Sequence, residues 1–106
     1  MKRLGFVGSS LEDLKEFPAE ARRAAGFELG FVQRGLYPSD WKPMKEVGAG
    51  VREIRIQVLG EWRVLYVAKF AEAIYVLHAF QKKAQKTKRE DIELARIRYR
   101  QIGARS

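Results

Sequence analysis

Three hydrophobic segments separated by very short connections constrain this chain most. They are "VREIRIQV" (51–58), "WRVLYVAKF" (62–70) and "AIYVLHAF" (73–80), joined only by "LGE" and "AE". A parallel pair of strands needs a crossover of a dozen residues or more, so strands joined this tightly must run antiparallel. The first segment alternates, with Ile54, Ile56 and Val58 on one face and Glu53, Arg55 and Gln57 on the other. The second is apolar on both faces apart from Arg63 and its ends, and the third is similar apart from His78. Strands covered on both faces belong at the centre of a sheet.

The remaining elements are read from periodicity and punctuation. "RLGFVG" (3–8) reads as a short strand and "SSLEDLKEFP" as a short helix opened by a Ser9–Glu12 capping box. Leu11, Leu14 and Phe17 give that helix its apolar side, and Pro18 ends it while opening the next. Ala21, Ala25, Leu29 and Val32 then recur at helical spacing. Gly26 and Gly30 are expected to allow close packing against the first helix or the sheet, and Gly35 to cap the C-terminus. The two helices are expected to form a hairpin, and "LYPSDWKPMKEVGAG" (36–50) a loop. Thr87 and Glu90 read as a second capping box, before a helix with Ile92, Ala95, Tyr99 and Ile102 on one side and Arg96, Arg98 and Arg100 on the others. The expected order is β-α-α-β-β-β-α: a single α+β domain over residues 1–106, with helices on an antiparallel sheet.

Charge narrows the function. The chain carries 21 Lys and Arg against 13 Asp and Glu, a formal +8. Residues 1–50 are nearly balanced, with eight basic and seven acidic side chains, whereas residues 51–106 hold thirteen and six. Segregated positive charge favours a polyanion, nucleic acid before membrane, or an acidic protein partner. The absence of cysteine excludes disulfides, a thiol nucleophile and a Cys-based zinc site. No apolar run approaches the ~18 residues of a membrane span, and acidic residues follow the N-terminal basic ones before any long apolar stretch. A cytoplasmic protein without cofactor or membrane partner is expected.

Conventional catalytic signatures are missing. One His and no Cys leave Ser/His/Asp as the only possible triad, and no GxSxG elbow supports it. No Gly-rich loop precedes a helix, and no residues stand at metal-ligand spacing. What remains is basic chemistry on a sheet. In a meander the start of 62–70 lies beside the end of 73–80, which gathers Arg63, His78 and the Lys82–Lys83 pair at one end, with Arg55 nearer the middle. Behind them follow Lys86, Lys88 and Arg89. Arginine holds phosphate oxygens bidentately and lysine adds a point charge. RNA brings its own nucleophile, the 2′-OH, so a ribonuclease built this way needs only alignment, a proton acceptor and cations. Each piece also has a plainer role. Arg63 fits a salt bridge to Glu53 or Glu61, Arg52 balances Glu53, His78 fits a hydrogen-bonded strand position, and the lysines fit a solvated loop. Trp41, Trp62, Tyr66 and Tyr75 fit the core or its rim, and Tyr99 the buried stripe of the last helix.

The segments "VREIRI", "WRVLY", "LHAFQKKAQKT" and "IELARIR" together resemble the phage-derived, HigB-like branch of the RelE/ParE toxin superfamily. The motifs cover about half the chain, and the element order extends the likeness to all of it. The resemblance implies the toxin of a type II toxin–antitoxin pair: a metal-independent endoribonuclease that cuts mRNA on the ribosome, neutralised by a cognate antitoxin. By position, Arg63 matches the strand arginine that contacts the scissile phosphate. Arg55 matches a basic residue of the preceding strand, and Lys82 and Lys83 match the basic residues after the last strand. Arg52, Lys86 and Lys88 are expected to add RNA contacts. RelE ribonucleases carry a tyrosine near the scissile phosphate in the C-terminal segment, and here none stands between Tyr75 and Tyr99. His78 is then the only side chain titrating near neutrality, with electrostatic alignment without a base as the other route. A ParE-like gyrase inhibitor and a non-catalytic RNA-binding domain are the alternatives on the same fold. The oligomeric state stays open.

Overall fold

The computed structural model describes residues 1–104. It is a mixed α+β fold of five strands and three helices: β1 (Arg3–Phe6), α1 (Ser10–Lys15), α2 (Ala19–Gln33), β2 (Trp41–Pro43), β3 (Val51–Gln57), β4 (Glu61–Val67), β5 (Ala73–Gln81) and α3 (Arg89–Ala104). The sheet order is β1-β5-β4-β3-β2. The β3–β4–β5 meander is antiparallel, with β4 at the centre as its two apolar faces require.

Two features depart from the expected antiparallel sheet of four strands. β1 pairs parallel to β5, Arg3 opposite Ala73. The segment expected to be all loop supplies a fifth strand, β2, with Trp41 opposite Ile54 and Lys42 opposite Glu53. Pro43 is tolerated there because β2 is an edge strand, where a missing N–H costs no ladder bond.

Each face of the sheet carries its own core. Leu14, Ala21, Ala25 and Leu29 of the first two helices, with Phe17 between them, pack on Ile54, Ile56, Val64, Tyr66, Ile74 and Val76. On the other face, Ala95 and Ile102 of α3 join Met44 and Val47 over Val51, Leu65, Val67 and Leu77. Rather than packing chiefly on each other, α1 lies against β5 and α2 against β3. A bulge opposite Leu65 and Tyr66 breaks the alternation of β5. Leu77 and His78 therefore both serve the α3 face, Leu77 in the core and His78 toward Asp91.

Neither capping box forms. The Ser9 hydroxyl donates to Asp13 at 3.0 Å instead of capping α1, and the Thr87 hydroxyl turns toward Glu53. Gly26 and Gly30 have open space where a Cβ would stand, so close packing is not their reason. Gly35, at φ +82°, does close α2, as its C-terminal position predicts. Among the described residues no helix is long and apolar enough to cross a membrane.

Candidate functional site

Strand register assembles the site. Residues directly opposite in an antiparallel pair share a face. Lys42 stands opposite Glu53, Arg55 opposite Arg63, and Arg63 opposite Phe80. Lys82 follows the last residues of β5, its backbone N–H donating to the Glu61 carbonyl at 2.7 Å. Lys42, Arg55, Arg63 and Lys82 thus gather at the end of the sheet that the hydrophobic contacts of α3 leave uncovered.

Glu53 is the centre of this cluster and has no exposed surface. Its Oε1 lies 3.6 Å from Arg63 Nε and 3.7 Å from Arg55 Nε. Its Oε2 accepts a long hydrogen bond from Thr87, which ties the lysine-bearing loop to the sheet. Arg63 is buried, donating to Glu61 at 3.0 Å and to the Trp62 carbonyl at 2.9 Å, while its Nε faces Glu53 as an ion pair without a hydrogen bond. Arg55 is a third exposed, with Asp40 4.0 Å away, and is the guanidinium a ligand reaches first. Both plainer roles read for Arg63, pairing with Glu53 and with Glu61, are therefore present together.

Lys82 reports the electrostatics of the cluster. Its ammonium is held below the ordinary lysine pKa, first by burial and next by Arg63, with Lys42 and Arg55 adding in the same direction and Glu53 opposing. A proton leaves this amine more readily than an exposed lysine's, and an anion placed here relieves the repulsion.

The other expected residues fall in different places. His78 is buried, its Nε2 2.7 Å from Asp91 Oδ1 on α3 and its Nδ1 shielded without a hydrogen-bond partner. Its ring stacks on Phe80. It shares the face of the cluster but is occupied in fastening α3. Arg52 lies on the opposite face, opposite Tyr66, with its guanidinium over the rings of Tyr37 and Trp41. It does not join the cluster. Lys83, Lys86 and Lys88 are exposed in the loop between β5 and α3, and Lys86 lines a cleft with Lys42 and Lys82. A larger groove of about 640 Å³ lies at the other end of the sheet, beside Met1, Arg34, Tyr37 and Arg52.

Sequence reasoning left open three residues that shape the site. Glu53 was read as one of two possible partners of Arg63, not as the buried centre of the cluster. Lys42 was hidden in a segment read as loop. Arg98, read on a side of the last helix away from its apolar stripe, is buried and donates to the Leu77 carbonyl at 2.9 Å and to Ser9 Oγ at 2.8 Å, fixing α3 against the start of α1. Only Glu53 carried a usable signal, an acid flanked by two arginines within one strand. Among the described residues, no group of three or more His, Asp or Glu is arranged to hold a metal ion.

A family model for the phage-derived protein Gp49-like family (DUF891) matches residues 12–100, from α1 through most of α3. No curated protein matches the chain. The matched region contains every member of the cation cluster and the carboxylate beneath it, and the chain therefore belongs to the Gp49-like phage-derived family, within the wider RelE/Gp49 toxin-like group.

Proposed function

We propose that this protein is the toxin of a type II toxin–antitoxin pair, of the HigB-like branch, and that it is an endoribonuclease acting on mRNA at the ribosome. Family membership supports the toxin reading. The observation that carries the ribonuclease reading is the set of four cations, Lys42, Arg55, Arg63 and Lys82, on one sheet face around the fully buried Glu53.

In this reading Arg55 and Lys82 meet the scissile phosphate, and Arg63 stands behind them, held rigid by Glu53 and Glu61. The 2′-oxygen forms a bond to phosphorus while the bond from phosphorus to the 5′-oxygen breaks. Negative charge grows on the phosphoryl oxygens, and cations already in place stabilise it without reorganising. Lys82 stays a cation at the phosphate; the 2′-OH proton passes to solvent, and the departing 5′-oxygen takes a proton from solvent. His78 is a positioning residue: Asp91 occupies its Nε2, and the pair anchors α3 beside the site. The products are a 2′,3′-cyclic phosphate and a 5′-hydroxyl. The partners are mRNA, the ribosome and a cognate antitoxin.

Induced expression in cells tests the target. The expected result is growth arrest with new mRNA 5′ ends and no DNA-damage response. Arrest with intact mRNA and an induced damage response would replace this reading with gyrase inhibition.

A further inference from the structure

Lys42 and Lys82 of the cluster also line a cleft of about 390 Å³ beside it, and Lys86 joins them there. The sheet holds Lys82 in place. Its backbone N–H donates to the Glu61 carbonyl at 2.7 Å, so the chain is still fixed where this side chain leaves it. Lys82 is partly buried, whereas Lys83 and Lys88 are exposed in the loop beyond. Burial, and next to it Arg63, ease the loss of its proton, with Glu53 opposing. Lys82 remains a cation most of the time, yet it yields a free amine more readily than an unburied lysine does.

A free amine is a nucleophile, and what surrounds it selects the electrophile. Lys42, Arg55 and Arg63 stand on the same sheet face and attract an anion. A neutral acyl donor gains nothing from them. An acyl phosphate does, because it joins a reactive carbonyl to a phosphate. Its phosphate takes the place of the scissile phosphate at Arg55, and its carbonyl carbon is a single bridging oxygen away from the phosphorus. Anion site and nucleophile must then be neighbours, and in this cluster they are.

We propose that Lys82 is an acylation site, and that its reagent is a small acyl phosphate held by the cations around it. The Lys82 nitrogen forms a bond to the carbonyl carbon, and the bond from that carbon to the phosphate oxygen breaks. Inorganic phosphate leaves with the bonding pair, and the proton on nitrogen passes to solvent. The ammonium is replaced by a neutral amide, which removes one of the four cations. Acylation therefore weakens the hold of the cluster on RNA. The proposal rests on the cluster being a phosphate site, and not on cleavage.

The folded protein is treated with acetyl phosphate, and acetylation at each lysine is followed in time by peptide mass spectrometry. Lys83 and Lys88 are the internal controls. N-hydroxysuccinimide acetate, which carries no phosphate, is the control reagent. With acetyl phosphate, Lys82 is expected to react about tenfold or more faster than Lys83 and Lys88. The preference is expected to shrink with the ester, under excess inorganic phosphate and in Arg55→Ala. Acetyl phosphate treatment should also lower the affinity of wild type for a short RNA more than that of Lys82→Arg, which keeps the charge and lacks the amine. Equal rates at the three lysines, or the same preference with both reagents, would overturn the proposal. An equal loss of RNA affinity in Lys82→Arg would overturn it as well. If inorganic phosphate still slows ester labelling at Lys82, the phosphate site stands while the acylation site falls. If it does not, both fall together.

Discussion

Glu53 and Arg63 sit below the surface as a charge pair, and Arg55 lies over the same carboxylate oxygen from the solvent side. Removing one partner of a buried pair leaves the other charge desolvated and alone, a loss of about 3–5 kcal/mol. Exposed pairs contribute about 0–1 kcal/mol. Arg63→Ala is therefore expected to lower the unfolding free energy by about 3 kcal/mol, and Arg55→Ala by less than about 1 kcal/mol, as read by urea denaturation. Equal losses would mean that Glu53 relies on both arginines alike. Arg55 and Lys82, rather than Arg63, are then the clean positions at which to separate activity from folding. The sequence showed the arginines but not the burial of Glu53. Strand alternation fixes which face a side chain takes, whereas the groups around it include Thr87, 34 residues away in sequence.

Tyr66 raises a second question at this scale. Its hydroxyl is buried without a well-formed hydrogen bond, although Arg52 lies close enough to influence it. Burial pushes its pKa above the ordinary phenol value, with Arg52 pulling the other way. The folded state then holds this proton after the unfolded chain has lost it. The associated stability is fully present below the ordinary phenol pKa and is lost as pH rises toward the folded value. Thermal unfolding across that alkaline range should show wild type losing more stability than Tyr66→Phe. At neutral pH the variant should match or exceed wild type, since an unsatisfied buried hydroxyl has gone. A parallel decline in both proteins would place the alkaline weakness elsewhere.

Among the elements, legibility follows the strength of the local pattern. The β3–β4–β5 meander could be read because alternation, two-faced apolar runs and short turns all agree. β2 could not, being three residues long with a proline and no alternation; it exists because β3 offers it an edge. The parallel pairing of β1 was equally hidden, since its partner β5 lies about seventy residues along the chain and nothing local specifies it. In α2 the buried stripe was legible, but the two glycines were misread as packing devices. Gly26 and Gly30 meet nothing within 4 Å at the Cβ position and are simply poor helix formers. Gly26→Ala and Gly30→Ala should each stabilise the protein by about 1 kcal/mol, visible as a raised thermal midpoint. A lowered midpoint would reveal a close approach that the fold does not display.

For the molecule as a whole, the division of labour between the sheet faces matters most. One face is closed by α1 and α2. The other is closed by α3 over only part of its length, and the remainder carries Lys42, Arg55, Arg63 and Lys82. The excess charge of the second half of the sequence announced a polyanion, and the meander placed Arg63 near Lys82. Which cations share that surface, with Lys42 included and Arg52 excluded, depended on β2 and on strand register, neither of which composition encodes. The most direct test is a translation reaction on a defined mRNA, with 5′ ends mapped by primer extension and their chemistry checked by phosphorylation with a kinase. Wild type, Arg55→Ala and Lys82→Ala would be compared. The account predicts new, ribosome-dependent ends bearing a 5′-hydroxyl, lost in both variants while their folded spectra are unchanged. Intact mRNA with wild-type protein, or cleavage that persists undiminished in both variants, would contradict it.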